Sequence, residues 1–563
     1  MKALYWGFTA MWDELSRLAQ KYPTLMRVEV MGTSREGRAI PVVTLTQFAR
    51  ATAEEKSAVL VDANIHAGEV TGNAAAMYWI TQCLEMYGND QEITALLDDH
   101  TVYVVPRLSV DGAEAYLTTP AWLRSSPHTY PYSAPPEGFY PDDVNGDGVI
   151  LHMRIPAEDG AFVPDELDPR VMRQRRPGEI GGTYYHVFPE GRIHRQSRSG
   201  DLPPFARAYN RARSGMDFNR NFPIRWANEA GQDGAGPFPL SEPELRCFAQ
   251  WIIAHPNIAA YAALHTSGGV ILRQPSTGDD TVLSSFDRLL FTRVADMGAE
   301  ASGYFAGSNF EKFATGHEAV LMPGAADDWM YDHLGILGFT IELWDLAHRA
   351  GARGYGEYGM RHMIQRTPDE RTDDERKIYA WVDREAIDQG VFPWTAFHHP
   401  DFGDVEIGGL HPKYVIQNPP LHLLEEECAR ISPFLTRLGL STPKLRIPYL
   451  RVTKEADHVY RVVAEVANGG FLPTTSTEKG KTHTLDKLTA TLEGTVEFLS
   501  GSSPYIMDHL DGYGGRDAWA TPIRQRGVVE WVVRGASDEE VTISFFAPRA
   551  GRVSRSFRLS FEA

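Results

Sequence analysis

An apolar run that ends in a histidine and a carboxylate constrains the fold of this chain more than any other feature. Residues 58–61 read Ala-Val-Leu-Val, and the sequence His66-Ala67-Gly68-Glu69 follows within a few residues. A short, wholly apolar run is typical of a strand that is buried on both faces. Open α/β sheets bind their ligands beyond the carboxyl ends of such strands. The junction therefore predicts an α/β sheet with chemically active side chains at that edge.

The histidine and the glutamate are spaced as in zinc-binding HxxE pairs. Zinc accepts imidazole and carboxylate ligands, and a catalytic zinc site has three protein ligands and one open position. The pair alone is weak evidence, because a chain with 19 His and 74 acidic residues contains such a pattern by chance. A solvated loop is the alternative unless a third ligand, a base and an oxyanion donor follow along the chain.

Two later segments supply candidates for the third ligand and the base. Residues 262–264 form an apolar stretch that leads into His265 and a glycine-containing turn. Glu342 lies within the β-type run 338–343, where an unpaired carboxylate would be costly. Glu342 either faces water on an edge strand or lies near a metal, where its pKa can approach that of a general base. The metal site gives the better account of the whole set.

These segments occur in the order found in the zinc metallocarboxypeptidases of the carboxypeptidase A/B type, which the sequence resembles over roughly residues 5–350. HAGE resembles the HxxE motif of that family, LHTSGG resembles its third-ligand segment, and MDFNRNF resembles its DxNRNF motif. GAADDWMYDHLGILGFTIELWD resembles the stretch that ends in its catalytic glutamate. No single motif is decisive, but the ordered set is.

The resemblance implies one zinc ion per chain, bound by His66, Glu69 and His265. It also implies that Asp217 fixes the tautomer of the first histidine, since most zinc-bound imidazoles need such a partner. Glu342 would take a proton from the attacking water and return it to the leaving amine.

The same resemblance assigns the substrate contacts. Asn219 and Arg220 would bind a terminal carboxylate, which suits an amide beside a guanidinium. Arg124 would polarise the scissile carbonyl and hold the oxyanion, with a surface arginine as the alternative. Asp327 would form the floor of the specificity pocket, where an acid goes with a preference for C-terminal Lys or Arg. A hydrogen-bond network of Asp327 and Asp328 at a helix start explains that pair equally well.

One departure from the family concerns a mobile tyrosine nine residues before the Trp of its DW pair. That position holds Val320 here, and neither His317 nor Tyr331 nearby is in register. The zinc ligands, the base and the arginine clamp suffice for hydrolysis in principle. The departure leaves the capping of the peptide and the identity of the substrate open.

Composition and charge exclude other classes of protein. The 563-residue chain has a formal net charge of −19, which argues against partners such as nucleic acids and anionic membranes. No apolar run approaches the roughly 18 residues of a membrane helix. The amino terminus has helical spacing and no signal-peptide cleavage site, so the protein is either cytoplasmic or secreted with its signal peptide absent from this sequence.

The order of elements predicts two domains. Strands that alternate with helices predict an α/β fold over residues 1–440, with an open mixed sheet and helices on both faces. Residues from about 125 to 212 interrupt the alternation and are interpreted as an insertion at the rim of the active site, and residues 351–418 as loop-rich. Short period-2 strands, one of them at 488–499, then predict a C-terminal β-sandwich over residues 441–563.

The insertion contains a candidate calcium loop. Asp143, Asn145 and Asp147 copy the first half of an EF-hand loop, which makes Ca²⁺ a candidate cofactor. Arg154 stands where the bidentate acid is expected, so an Asx-turn without an ion is the alternative.

The sequence as a whole predicts a zinc-dependent metallocarboxypeptidase. Its substrate would be a peptide with a free C-terminal carboxylate, and Asp327 favours basic C-terminal residues. Two alternatives stay open. One is a related amide hydrolase that acts on cell-wall peptides or acylated amino acids, and the other is a carboxylate-binding protein without turnover. Glu342 argues against the second, because a protein that only binds has no need of a base.

Overall fold

The computed structural model describes residues 3–128, 130, 138–194, 215–276, 278–313, 322–483, 487–514 and 524–560. Its α-helices are α1 Phe8–Lys21, α2 Val70–Met86, α3 Gln91–Asp99, α4 Val110–Thr118, α5 Pro243–Ala254, α6 Ser285–Ser302, α7 Asn309–Phe313, α8 Ala326–Leu334, α9 Leu346–Ala350, α10 Tyr355–Tyr358, α11 Met360–Gln365, α12 Pro368–Arg384, α13 Leu424–Leu440 and α14 Gly480–His483. Its β-strands are β1 Met26–Thr33, β2 Ala39–Leu45, β3 Ala58–Ala63, β4 Thr101–Val105, β5 Gly138–Pro141, β6 His152–Pro156, β7 Phe162–Pro164, β8 Met172–Gln174, β9 Tyr185–Pro189, β10 Gly191–His194, β11 Ile258–Thr266, β12 Val270–Arg273, β13 Phe305–Ser308, β14 Leu337–Leu343, β15 Val391–His399, β16 Gly403–Leu410, β17 Leu445–Ala456, β18 Val459–Asn468, β19 Leu488–Glu493, β20 Glu497–Ser500, β21 Tyr505–Met507, β22 Arg526–Arg534, β23 Glu540–Ala547 and β24 Gly551–Arg558. Among the described helices, none combines the length and the apolar character that a membrane crossing needs.

The largest sheet has eight strands in the order β1-β2-β4-β3-β11-β14-β12-β13. Its centre is parallel, because β4, β3, β11 and β14 all run in the same direction. The pairs β1–β2, β2–β4 and β12–β14 are antiparallel. Both β3 and β11 are buried along their whole length, as their continuous apolar runs predict. The sheet confirms the predicted open mixed sheet.

Helices cover both faces of this sheet. Successive residues of one strand point to opposite faces, so each strand contributes side chains to two cores. Val59 and Val61 pack with the buried side chains of α2, α6 and α13. Leu60, Tyr261 and Ala263 pack on the other face, against α5 and α8.

The region predicted as an insertion contributes to a second sheet. Its strands β6 to β9 combine with β15 and β16 in a six-stranded sheet of order β15-β16-β6-β9-β7-β8. Residues 391–410, which read as part of a loop-rich segment, are therefore mostly strand. The sequence does not reveal this sheet, because β9 and β15 are only partly buried on both faces and lack a clean apolar alternation. Residues 129, 131–137 and 195–212 of the predicted insertion lie outside the described residues.

The C-terminal residues form the predicted β-sandwich. Two antiparallel sheets, β17-β18-β22-β20 and β21-β19-β23-β24, enclose a core of their own that contains Val462, Trp531 and Ile543. The predicted strand at 488–499 is wrong in one respect, because it is two strands in opposite sheets. The chain crosses between them at Gly494, where an added Cβ would lie 2.5 Å from Val541 Cγ1, so only glycine fits.

The sandwich contacts the amino ends of the central strands. Leu337 N, at the start of β14, donates to Ser476 Oγ at 3.0 Å. Arg549 Nη1 donates to the carbonyl oxygens of Gly335 at 3.1 Å and Thr475 at 2.7 Å. These contacts lie at the sheet edge opposite to the carboxyl ends of β11 and β14. No described residue of the sandwich lines the cavity at those carboxyl ends.

Candidate metal and substrate site

Three neighbouring parallel strands end at one edge of the large sheet and carry the predicted catalytic side chains. β3 leads into His66, and Glu69 directly precedes α2. β11 carries His265 near its end, and β14 carries Glu342. His265 is paired with Glu342 in the parallel register, so both side chains lie on the same face. Because β14 lies between β11 and β12, the alternative of Glu342 on an edge strand is wrong.

His66, Glu69 and His265 converge through their polar atoms. His66 Nδ1 lies 2.8 Å from Glu69 Oε1, His265 Nδ1 lies 2.9 Å from Glu69 Oε2, and the two Nδ1 atoms are 3.1 Å apart. Ligand atoms around a tetrahedral zinc ion at about 2.0–2.1 Å would be about 3.3 Å from one another. The three side chains are buried and lie within reach of one ion. Their spacing and their donor atoms therefore fit zinc.

Asp217 lies behind the first histidine of this cluster. Its Oδ1 is 3.1 Å from His66 Nε2, and its Oδ2 accepts a hydrogen bond from Arg124 Nε at 3.0 Å. Arg124 Nη1 also lies 3.4 Å from Glu69 Oε1. Burial raises the pKa of Asp217, but the charges of Arg124 and His66 outweigh it and hold that pKa well below its usual range. Arg124 thus contacts the cluster, with its side chain 36% exposed.

Glu69 of the cluster and the neighbouring Glu342 have opposite pKa shifts. Burial, followed by the charge of Glu69, raises the pKa of Glu342 to about 8, although His265 and Arg124 act in the other direction. Burial also raises the pKa of Glu69, but His66 and His265 outweigh it and bring that pKa well below its usual range. Such a separation is expected when one carboxylate binds a cation and the other exchanges protons.

A short helical turn positions Asn219 and Arg220. Asp217 precedes the turn, and its Oδ1 accepts the backbone N–H of Asn219 at 2.8 Å. Asn219 Oδ1 accepts the backbone N–H of Ala326 at 2.8 Å, so its amide nitrogen is the group left to donate to a ligand. Arg220 Nη1 donates to the backbone carbonyl of Asn219 at 2.6 Å. Both side chains line a cavity of about 300 Å³ that also contains the metal cluster and Glu342.

Asp327 lines the same cavity from the first turn of α8. It is only 3% exposed, and its oxygens accept hydrogen bonds from Asn309 Nδ2 at 2.9 Å and from the backbone N–H of Asp328 at 3.0 Å. Among the described residues, neither a Lys nor an Arg forms an ion pair with Asp327. Asp328 accepts instead from Ser276 Oγ at 2.6 Å and from Gln274 Nε2. Burial, followed by the charge of Asp327, raises the pKa of Asp328 to about 7.

Asn309, Thr340 and Tyr355 are among the residues that line the cavity and to which sequence reasoning assigned no role. Tyr355 Oη donates to the backbone carbonyl of Ser267 at 2.6 Å. Neither Asn309 nor Tyr355 belongs to a motif, so no signal in the sequence identifies them. Thr340 could have been found, because it lies two residues before Glu342 on the same face of β14.

Of the two residues considered as substitutes for the absent tyrosine, His317 and Tyr331, only Tyr331 lies within the described residues. Val320 and His317 lie outside the described residues. Tyr331 Oη donates to Asp287 Oδ2 at 2.9 Å, and Tyr331 is not among the residues that line the cavity.

The candidate calcium loop is organised by its own hydrogen bonds. The carboxylate of Asp143 accepts three backbone N–H groups of the loop at 2.7, 3.2 and 2.9 Å, and Asn145 Nδ2 donates to Asp147 Oδ2 at 2.9 Å. Arg154 is paired with Glu406 on the neighbouring strand. This pattern is that of Asx-turns, and the calcium prediction gains no support.

Comparison with known proteins relates both parts of the chain to families. A family model described as zinc carboxypeptidase matches residues 11–145 and 183–372, and a model for a domain of unknown function matches residues 444–558.

Carboxypeptidase B of Homo sapiens is 30% identical over 352 residues, which cover 60% of this chain and 62% of that protein. Carboxypeptidase A6 of Mus musculus is 23% identical over 341 residues, which cover 59% of each chain. A crystal structure of thrombin activatable fibrinolysis inhibitor is 21% identical with a TM-score of 0.39, and the match covers 67% of this chain and 74% of that one. The chain therefore spans about three fifths of the length of these curated relatives.

Proposed function

Because this chain belongs to the zinc carboxypeptidase family, we propose that it is a zinc-dependent metallocarboxypeptidase that hydrolyses the C-terminal peptide bond of peptides. One observation carries the proposal. The Nδ1 atoms of His66 and His265 and both oxygens of Glu69 converge at the sheet edge where Glu342 is paired with His265. A protein that only binds a metal or a carboxylate would have no need of the additional base.

The residues around the cluster have distinct tasks in this reaction. A zinc ion held by His66, Glu69 and His265 supplies a Lewis acid and lowers the pKa of water. Glu342 accepts the proton of the attacking water and later delivers it to the leaving amine, and a pKa raised to about 8 suits both transfers. Arg124 donates N–H groups to the scissile carbonyl oxygen while negative charge develops there.

The other side of the cavity selects the substrate. Arg220 and the amide nitrogen of Asn219 bind the terminal carboxylate, because a guanidinium and an amide supply several donors in a fixed arrangement. Asp327 binds a basic C-terminal side chain, since its charge has no cationic partner among the described residues. The cavity of about 300 Å³ joins these groups to the metal cluster, so the bond next to the terminal residue is the one presented for cleavage.

The proposal is tested by comparing matched peptides with free and amidated carboxyl termini. We expect kcat/KM to be at least about tenfold higher for the free acids, because amidation removes the negative charge of the terminal carboxylate, which Arg220 is proposed to bind. N-acylated amino acids and cell-wall peptides belong in the same panel. Faster turnover of either would replace this proposal by the amide-hydrolase alternative, and binding without turnover would replace it by the carboxylate-binding alternative.

A further inference from the structure

Apart from Glu69 Oε2, which lies 2.9 Å from His265 Nδ1, three buried polar atoms at the proposed zinc site lack a hydrogen-bond partner among the described residues. They are Asp62 Oδ2, Asn64 Oδ1 and His265 Nε2. Buried polar atoms are hydrogen-bonded in the great majority of proteins, because an unpaired one destabilises the fold. One shared partner would satisfy all three atoms.

The register of the two central strands brings these residues together. In the parallel pairing of β3 with β11, Asp62 is opposite Ala263, and Asn64 and His265 each follow two residues later. Ala263 and His265 are on the same face of β11, because residues two apart in a strand point the same way. Ala263, the residue opposite Asp62 on this face, contributes only a methyl group.

The tautomer of His265 defines the chemistry of the shared partner. His265 directs Nδ1 towards Glu69 Oε2 at 2.9 Å, so in the metal-binding form the proton is on Nε2. The Nε2–H group donates, whereas Asp62 Oδ2 and Asn64 Oδ1 accept. The other atoms of these side chains are already used. Asp62 Oδ1 accepts from the Tyr261 hydroxyl, and Asn64 Nδ2 donates to a backbone carbonyl of the ligand loop.

We propose that Asp62 positions His265 through one buried water molecule that also binds Asn64. A water molecule accepts one hydrogen bond from Nε2–H and donates one to each of the two oxygens, which satisfies all three atoms. The two histidines of the cluster are then oriented in different ways. His66 contacts Asp217 directly, and His265 contacts Asp62 through water. Asp62 does not touch the substrate, so it is a positioning residue.

This inference rests on the proposed zinc site, and the first experiment separates the two. The zinc dissociation constants of wild type, Asp62→Asn and Asp287→Asn are measured by competition with a chromophoric chelator. The Tm values of the metal-free proteins are measured alongside. We expect Asp62→Asn to bind zinc at least about tenfold more weakly than wild type, as is typical when an outer-sphere partner of a metal-bound histidine is lost.

Asp287→Asn is the matched control, because it also converts a buried carboxylate into an amide. Asp287 accepts the backbone N–H groups of Glu478 and Lys479 at the contact with the sandwich. This variant should leave the zinc affinity unchanged. A wild type that does not bind zinc would overturn the proposed function. A zinc affinity of Asp62→Asn within about twofold of wild type would overturn only the role of Asp62.

The second experiment uses the unaltered protein and does not depend on how a variant folds. A high-resolution crystal structure of the zinc-loaded wild type should contain one ordered water. We expect it within about 2.6–3.2 Å of His265 Nε2, Asp62 Oδ2 and Asn64 Oδ1. A direct contact between Asp62 and His265, or a dry space between them, would overturn the water-mediated arrangement.

Discussion

The replacement Asp327→Asn should remove the preference for basic C-terminal residues, because it deletes a charge and almost no volume. Asp327 is 3% exposed and lines the substrate cavity. Its oxygens are held by neutral donors, the amide of Asn309 and the backbone N–H of Asp328. A substrate Lys or Arg would therefore be the first cation to pair with this carboxylate within the described part of the chain.

The size of the preference for basic residues follows from the burial of the Asp327 carboxylate and from the lack of a Lys or Arg partner for it among the described residues. Two unit charges about 4 Å apart attract by about 4 kcal/mol at an effective dielectric constant of about 20. Desolvation of both charges offsets part of this attraction, which leaves roughly 2.7 kcal/mol. That value corresponds to about a hundredfold change in kcat/KM.

The assay measures kcat/KM for matched peptides that end in Arg and in Leu. The wild type should favour Arg by about a hundredfold, and Asp327→Asn should bring the ratio to about one. Asp328→Asn is the matched control, since Asp328 is a buried neighbour that does not line the cavity. It should keep the wild-type ratio. A wild type that favours Leu, or an Asp327→Asn variant that keeps the full preference for Arg, would refute this reasoning.

Three further predictions concern the base, the clamp and the buried acid pair. Glu342→Gln keeps the shape but cannot accept a proton, so kcat should fall at least about a hundredfold while zinc content stays constant, and near-native kcat would identify another base. Arg220→Ala should weaken kcat/KM for all free-acid peptides alike and leave amidated ones unchanged, whereas a change that depends on the terminal side chain would contradict the clamp. The folded-state pKa of Asp328 is raised from 3.8 to about 7, so its ionisation destabilises the fold as pH rises from about 4 to 7. Asp328→Asn should therefore raise Tm at pH 8 more than at pH 4, and an equal change at both values would be inconsistent with that shift.

The sequence predicts those strands whose side chains are buried consistently, either on both faces or on one face only. β3 is apolar at nearly every position because helices cover both its faces, and β18 alternates because only one face is buried. The sequence does not predict the six-stranded sheet, since β15 has no consistent buried face. Its strands also come from distant parts of the chain, so local patterns do not reveal their pairing.

The candidate site also has a part that the sequence predicts and a part that it does not. The sequence places His66 and His265 after apolar runs and Glu342 within a β-type run, and parallel pairing then brings them together. It does not reveal contacts that depend on tertiary packing. Asn309 on Asp327 is one example, because that contact joins α7 to α8.

The central claim is a zinc ion bound by His66, Glu69 and His265, and elemental analysis of purified protein tests it most directly. The wild type should contain one zinc per chain, and His66→Ala and His265→Ala should contain none while their circular dichroism spectra stay native-like, because a core of this size does not depend on one metal. His399→Ala is the matched control, since His399 is a buried histidine whose Nε2 lies 2.8 Å from the carbonyl oxygen of Gly191, and it should retain the full metal content. A wild type without zinc after zinc loading, or full zinc retention in both ligand variants, would contradict the account.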